Sequence, residues 1–464
     1  MFKNIQNKNL NKGAILVYLI IVIFIFSIVM VPLLSIVMGQ INYLKTSVAK
    51  EQSLQIAEAG INYYQWRLAH FKNDYQDGTG TTGPYVHEYV DRDTQEVIGS
   101  YSLTITPPTV GSTIITIQST GWTLEYPNIK KTVTVRYGIP SLAKYSFLSN
   151  DVIWIGSNEA VNGQMQSNNG IRFDGLSNAP IQSAKTIYTC KYGQGCSPDA
   201  TKPGIWGSAP QFVQNFWQFP VPAIDFSALT ANLSSMKSLA QSNGIYLPPS
   251  NEKGYSLVFK SNGTIDIYKI TSLRAHATGI DTNDVHHDED IDYLARSLQF
   301  TKNMPNNGAI YIEDKVWVEG TVRGRATVAA AILPIDLPTA PNIYIPNNIL
   351  YSAKDGSDVL GLISQKDVVV TYFAPNNLEI DSAMIAQNGS VQFYSYPNNI
   401  KDNITVYGSI MTFGTWTWTW TWYGNVTSGY RNTYSIYDGN LLYGPPPSFP
   451  LSSSGYQQLD WKSN

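Results

Sequence analysis

Charge is scarce in this 464-residue chain: 14% of residues, against roughly a quarter in typical soluble domains. That excludes a disordered chain, and it is unlike an ordinary cytosolic enzyme. Cysteine occurs twice, at Cys190 and Cys196, and no further ligand stands near the pair, so a zinc site is not indicated. No GxSxG elbow, phosphate-binding Walker loop, HExxH or Cys–His pair occurs. The carboxylates that a polysaccharide-cleaving enzyme would need (Asp151, Glu159, Asp174, Glu379, Asp381) are scattered, and only Glu379 and Asp381 share one side of a strand. The chain therefore reads as a non-enzyme with no cofactor. Acid is missing altogether before Glu51, while five lysines precede it. The remainder is correspondingly acidic, which argues against nucleic acid as the main partner.

Aromatics and turn formers are plentiful instead: 30 Tyr, 11 Trp, 35 Gly and 25 Pro, the colouring of strands and turns. The exception is the start. Ala14 to Met38 is apolar except for Ser27, Pro32 and Ser35. As a helix it would span roughly 37 Å, more than the bilayer core requires. Lys3, Lys8 and Lys12 precede it, which places the amino terminus in the cytoplasm and the body outside. A cleavable signal peptide is the alternative, but the apolar run is too long and Val37-Met38-Gly39 is a poor cleavage site. Ile41, Leu44, Val48, Ile56, Ala59, Tyr63 and Leu68 then recur at helical steps, so the helix continues as an amphipathic stalk to about residue 72.

Lys12-Gly13-Ala14, the apolar helix, and Gln55-Ile56-Ala57-Glu58-Ala59-Gly60-Ile61 together resemble the amino terminus of PilX-type minor type IV pilins, and of large minor pseudopilins of type II secretion. The resemblance covers the first 60 to 140 residues. It implies a basic leader (1–13) cut between Gly13 and Ala14, then a membrane helix and stalk (14–75), then a pilin-like antiparallel sheet (76–140). It also implies other pilin-like subunits and the membrane as partners. Two positions depart from the pattern: Ala14 stands where major pilins carry Phe, and Tyr18 where they carry a glutamate that neutralises a neighbour's amino terminus. An apolar residue there suits a minor or tip subunit.

Residues 85–138 change to period two, as in Ser102-Leu103-Thr104-Ile105-Thr106 and Thr132-Val133-Thr134-Val135-Arg136, with turns at Pro107-Pro108 and Tyr126-Pro127-Asn128. Beyond residue 141 a loose repeat recurs, a small residue and then a branched or Met residue two positions on: Gly163-Met165, Gly320-Val322, Gly361-Ile363, Ser382-Met384 and Gly408-Ile410. Coils of about 20 residues with one branched side chain each in a shared core predict a right-handed β-solenoid over 141–436; a β-sandwich is the alternative. Helical spacing at Leu229, Leu233, Met236 and Leu239, followed by a hairpin turned at Ser261-Asn262-Gly263, predicts an α+β insertion over about 205–305. Residues 437–464 form an extended, Pro-rich tail. The fold class is thus mainly β behind one long helix.

Three clusters are candidate sites. Cys190 and Cys196 form a disulfide or remain free thiols, the disulfide suiting an extracytoplasmic body. Asp281, Asn283, Asp284 and Asp288, near His286 and His287, are either Ca²⁺ ligands or a solvated acidic loop. Trp416, Trp418, Trp420 and Trp422 alternate with threonine, and are either packing or a stacking face for surface glycans. The predicted role is a membrane-anchored minor-pilin-like subunit with a β-rich domain for assembly or adhesion. The alternative is an anchored carbohydrate-binding, less readily carbohydrate-degrading, surface protein.

Overall fold

The computed structural model describes residues 12–226, 233–276, 278–452 and 455–463; most of the expected leader lies outside them. The chain divides into two compact units. The first holds residues 1–107, 115–137 and 458–464, and the second residues 108–114 and 138–457.

The first unit is built on α1 (Lys12–His70), 59 residues long with Pro32 inside it. Residues 15–44 are exposed throughout, while Ala49, Ser53, Ile56, Ala57, Ile61, Tyr64 and Leu68 are buried. The buried stripe is rotated from the expected one: Ile41, Leu44 and Val48 are exposed, and Ala59 and Tyr63 only half-buried. Small residues explain the rotation. Ala49, Ser53, Ala57 and Gly60 let α1 approach the sheet closely, whereas a larger residue at their positions would hold it off. The sheet comprises β1 (Tyr85–Val90), β2 (Val97–Thr106), β3 (Ile114–Thr123) and β4 (Lys130–Gly138), with the carboxyl-terminal strand Gln457–Ser463 beside β4. That last strand is a correction, since residues 437–464 were expected to be extended chain alone. Arg136 on β4 pins it by an ion pair to Asp460 at 2.6 Å. The helix ends at His70, and Arg67 in its last turn holds the following loop by ion pairs to Asp74 (2.5 Å) and Asp77 (3.5 Å).

The second unit is a parallel β-solenoid with three walls. One wall can be followed residue by residue: Ile245, Ile310, Val328, Leu362, Met384, Ile410, Phe147, Met165, Ile181 and Trp217 stand in register on successive strands. All but Trp217 are buried in one continuous core. A second wall stacks Val316, Ile343, Val368 and Val391. A third stacks Gly320, Ile349, Ile380, Val406, Ser435, Val161 and Ser177. At roughly 4.8 Å per strand, the first wall is about 40 Å long.

Two features of this stack differ from expectation. First, the coils are not in chain order: the strand Phe147–Ser149 sits on Ile400–Thr412, so the amino-terminal coils follow the last carboxyl-terminal one. Gln218 lies at one end of this wall and Ile245 at the other, and the described parts of the segment between them, 219–226 and 233–244, lie against the wall. This segment covers the wall's apolar outer side (Leu148, Tyr311, Ile363, Ile385, Met411) with Phe226 and with Leu233, Met236 and Ala240 of one helix, and the carboxyl-terminal segment adds Leu441 and Phe449. That is why the segment is amphipathic. Ile363, expected inside, lies on this outer side, and Leu362 takes the lumen. Second, residues 205–305 are only partly an insertion. Ile205–Trp206, Trp217–Gln218, Ile245–Leu247 and Gly254–Phe259 are solenoid strands. The pieces outside the stack are the helices α2 (Gln211–Gln214) and α3 (Leu233–Asn243) and the antiparallel strands Thr264–Ile270 and Arg296–Asn303 with the loop between them. Leu229 lies outside the described residues, and Leu239 is exposed.

Candidate functional site

The amino-terminal half of α1 is long and apolar enough to cross a membrane, and its apolar stretch is not buried against the rest of the protein. Leaving some two dozen aliphatic and aromatic side chains in water would cost on the order of tens of kcal/mol at ~1.5–3 kcal/mol each, and lipid removes that cost. Ser27 and Ser35 do not disturb this surface, since their hydroxyls donate to the carbonyls of Ile23 (2.8 Å) and Val31 (3.0 Å) within the helix. Gly13 and Ala14 lie in the helical backbone; their side chains fall outside what is described.

Cys190 and Cys196 are bonded to each other. The bridge ties the end of the strand Ile187–Cys190 to the turn before its antiparallel partner Ala200–Pro203. Arg172 holds the loop down: its guanidinium donates to the Gly195 carbonyl at 3.0 Å, lies 4.2 Å from the Trp154 ring, and reaches Asp174 at 2.8 Å.

The tryptophan run does not present one face. Residues 415–418 form part of a solenoid wall, bridging to Gln392 through Thr417. Trp416 and Trp418 therefore point into the core, where Trp416 meets Phe147 edge-on at 5.0 Å. Trp420 is half-buried, its indole N–H donating to the Phe393 carbonyl at 2.7 Å. Only Trp422 is exposed, with Tyr423 at the tip of the hairpin that Thr419–Trp422 forms with Asn425–Tyr437. The four indoles cannot act together as a stacking platform.

The acidic loop assembles no coordination sphere. Asp281 accepts backbone N–H bonds from Asn283 (2.7 Å) and Val285 (3.0 Å), and pairs with His287 at 2.9 Å. These bonds hold its carboxyl below the usual range against the opposing effect of burial. Asn283, Asp284 and Asp288 lie on the exposed side of the turn. Among the described residues no group of three or more His, Cys, Asp or Glu is placed to hold a metal ion, so the Ca²⁺ reading has no geometry behind it.

The same loop contains what sequence reasoning missed. Glu289 and Asp290 turn inward and clamp the loop onto the solenoid wall. Glu289 accepts from the Tyr396 hydroxyl and from the Tyr372 N–H (3.1 Å), with the His276 ring 3.7 Å away. Asp290 accepts from the Phe373 N–H at 2.6 Å. The Trp317 indole donates to the Glu289 carbonyl at 2.7 Å. Burial pushes the Glu289 carboxyl up to about 8, with the neighbouring Asp290 adding to the rise and the Tyr396 bond opposing it. The residues looked like a solvated acidic run because nothing local marks which carboxylates face in. Glu379 and Asp381, the pair sharing a strand side, are bridged by Lys354 at 2.7 and 2.8 Å. This contact is an ion-paired lock between coils.

No protein-family model matches the chain, and no curated protein does. Among solved structures, the competence-associated pilin ComZ from Thermus thermophilus aligns over 90% of this chain and 97% of its own, at 11% identity and a TM-score of 0.31.

Proposed function

We propose that the chain is a membrane-anchored, non-enzymatic, minor-pilin-like subunit of a type IV pilus or related filament. Its amino terminus is cytoplasmic, and its β-rich body lies outside for assembly or adhesion. The observation that carries this reading is the division of labour along α1. One unbroken helix has a bare apolar half of bilayer length, and a second half whose small residues seat a four-stranded antiparallel meander. That is the arrangement implied by the resemblance of Lys12-Gly13-Ala14 and Gln55–Ile61 to minor pilins. An exposed Tyr18, in place of a glutamate, leaves the subunit without the group that would neutralise a neighbour's amino terminus. This favours a minor or tip position over the filament shaft.

Leader processing is the step that separates this reading from a permanent anchor. The intact mass of protein extracted from membranes of its own host should correspond to a chain beginning at Ala14. A mature chain still beginning at Met1 or Phe2 would overturn the pilin assignment and leave an anchored surface protein.

A further inference from the structure

We propose that a groove at one end of the solenoid binds short acidic oligosaccharides. The groove has a volume of about 840 Å³, within the range of small-molecule sites. It lies between the last turn of α3, the terminal strand Ile245–Leu247 and the strand Arg296–Asn303 with the turn after it.

Its chemistry is that of sugar recognition. Two rings line it, and one of them is held in place in advance. The Tyr246 hydroxyl donates to Glu313 at 2.6 Å, and its ring lies nearly parallel to that of Tyr311, at 21° and 6.5 Å. The other, Phe300, is an exposed ring on a strand whose neighbours Gln299 and Thr301 are polar. Rings of this kind stack on the C–H faces of pyranoses. Around them stand the carboxamides of Gln241, Asn243, Asn303 and Asn306. Each offers donors and an acceptor together, matching hydroxyls that both give and accept.

The end of α3 adds acceptors. Asn307 takes the Leu239 carbonyl at 2.9 Å and the Gly244 N–H takes that of Ala240 at 3.1 Å. The later carbonyls of the turn have no intrahelical partner. Among the described residues no carboxylate lines the groove and one cation does, Lys302, which sits over the Phe300 ring at 5.5 Å. A lone ammonium beside a stacking ring favours a uronic or similarly acidic sugar. An added peptide strand is disfavoured, because the Arg296–Asn303 strand carries a bulge opposite Ile267 and Tyr268 and a lysine near its end. The site is independent of filament membership.

The test uses the full-length protein in a sugar-free detergent, titrated by calorimetry with a uronic-acid trisaccharide and its neutral counterpart. The acidic ligand should bind at least tenfold more tightly. Phe300→Ala should weaken it at least tenfold, and Asn243→Ala should weaken both ligands. Lys302→Ala should bring the two ligands within about threefold of each other. All three side chains are exposed, so circular dichroism spectra should be unchanged. The proposal is overturned if neither trisaccharide binds, or if binding survives Phe300→Ala and Asn243→Ala intact. Loss of binding with Trp422→Ala instead would move the site to the hairpin tip and equally overturn it.

Discussion

Gly121 lies on β3 where α1 comes closest to the sheet, and its replacement by alanine tests whether small residues set that approach. A Cβ there would stand 2.4 Å from the Ala57 nitrogen, 2.4 Å from the Ser53 carbonyl oxygen and 3.0 Å from the Ala57 Cα. All three are helix backbone, so no side chain can swing away. Since ordinary contact begins near 3.4 Å, α1 must withdraw by about 1 Å. The bond from the Ser53 hydroxyl to the Ile129 carbonyl, now 2.9 Å, would then be lost. Overpacking costs about 1–3 kcal/mol and the lost bond about 1. Reduced freedom of the unfolded chain returns about 0.5–1. The net is a destabilisation of roughly 2 kcal/mol, which corresponds to about 30-fold faster exchange through opening of this unit. Hydrogen–deuterium exchange of peptides covering 114–138, in full-length protein in micelles, reads it directly. Gly193→Ala is the control, since its Cβ meets nothing within 4 Å; it should change stability by less than about 0.5 kcal/mol. Exchange in Gly121→Ala no faster than in the control would refute a backbone-limited contact between α1 and β3.

The buried Glu289 makes a pH prediction. Its folded value, about 8, lies above the unfolded one, so its contribution is fully present below about pH 4.5. It is lost as pH rises toward 8, by up to ~1.4 kcal/mol per unit. Urea midpoints across that window should therefore fall less steeply for Glu289→Gln than for the native chain; equal slopes would contradict burial of an ionisable carboxyl. Trp418→Ala should cost about 3–5 kcal/mol in urea unfolding, and Trp422→Ala less than about 0.5; the reverse order would restore the tryptophans as a binding face. Cys190 and Cys196 in native cells should react with a membrane-impermeant thiol reagent only after reduction. Labelling after lysis without reductant would place the body in the cytoplasm. Replacing both by serine should cost about 2 kcal/mol, given the short loop they close, as measured by urea unfolding of the second unit.

Local pattern was enough to determine several things about this protein. An uncharged run of bilayer length allows only a helix, because no water is available to satisfy other backbone. Strict alternation in residues 85–138 specifies an antiparallel meander. The small-x-branched repeat specifies coils with one side chain in a common lumen, and Met165, Val322, Met384 and Ile410 do lie there. The tertiary structure alone decided which coil stacks on which. Periodicity states which side chains face inward but not which strand lies beside them. Ser409 bonds to the Tyr145 carbonyl across 264 residues of sequence. The same limit explains Leu362 and Ile363, both apolar because both sides of that wall are covered, and Trp416 and Trp418, whose alternation reads identically for a lumen and for a surface. Glu289 and Asp290 differ from Asp284 and Asp288 only in what packs over them. That covering comes from Tyr372, Phe373 and Tyr396, more than eighty residues later in the chain.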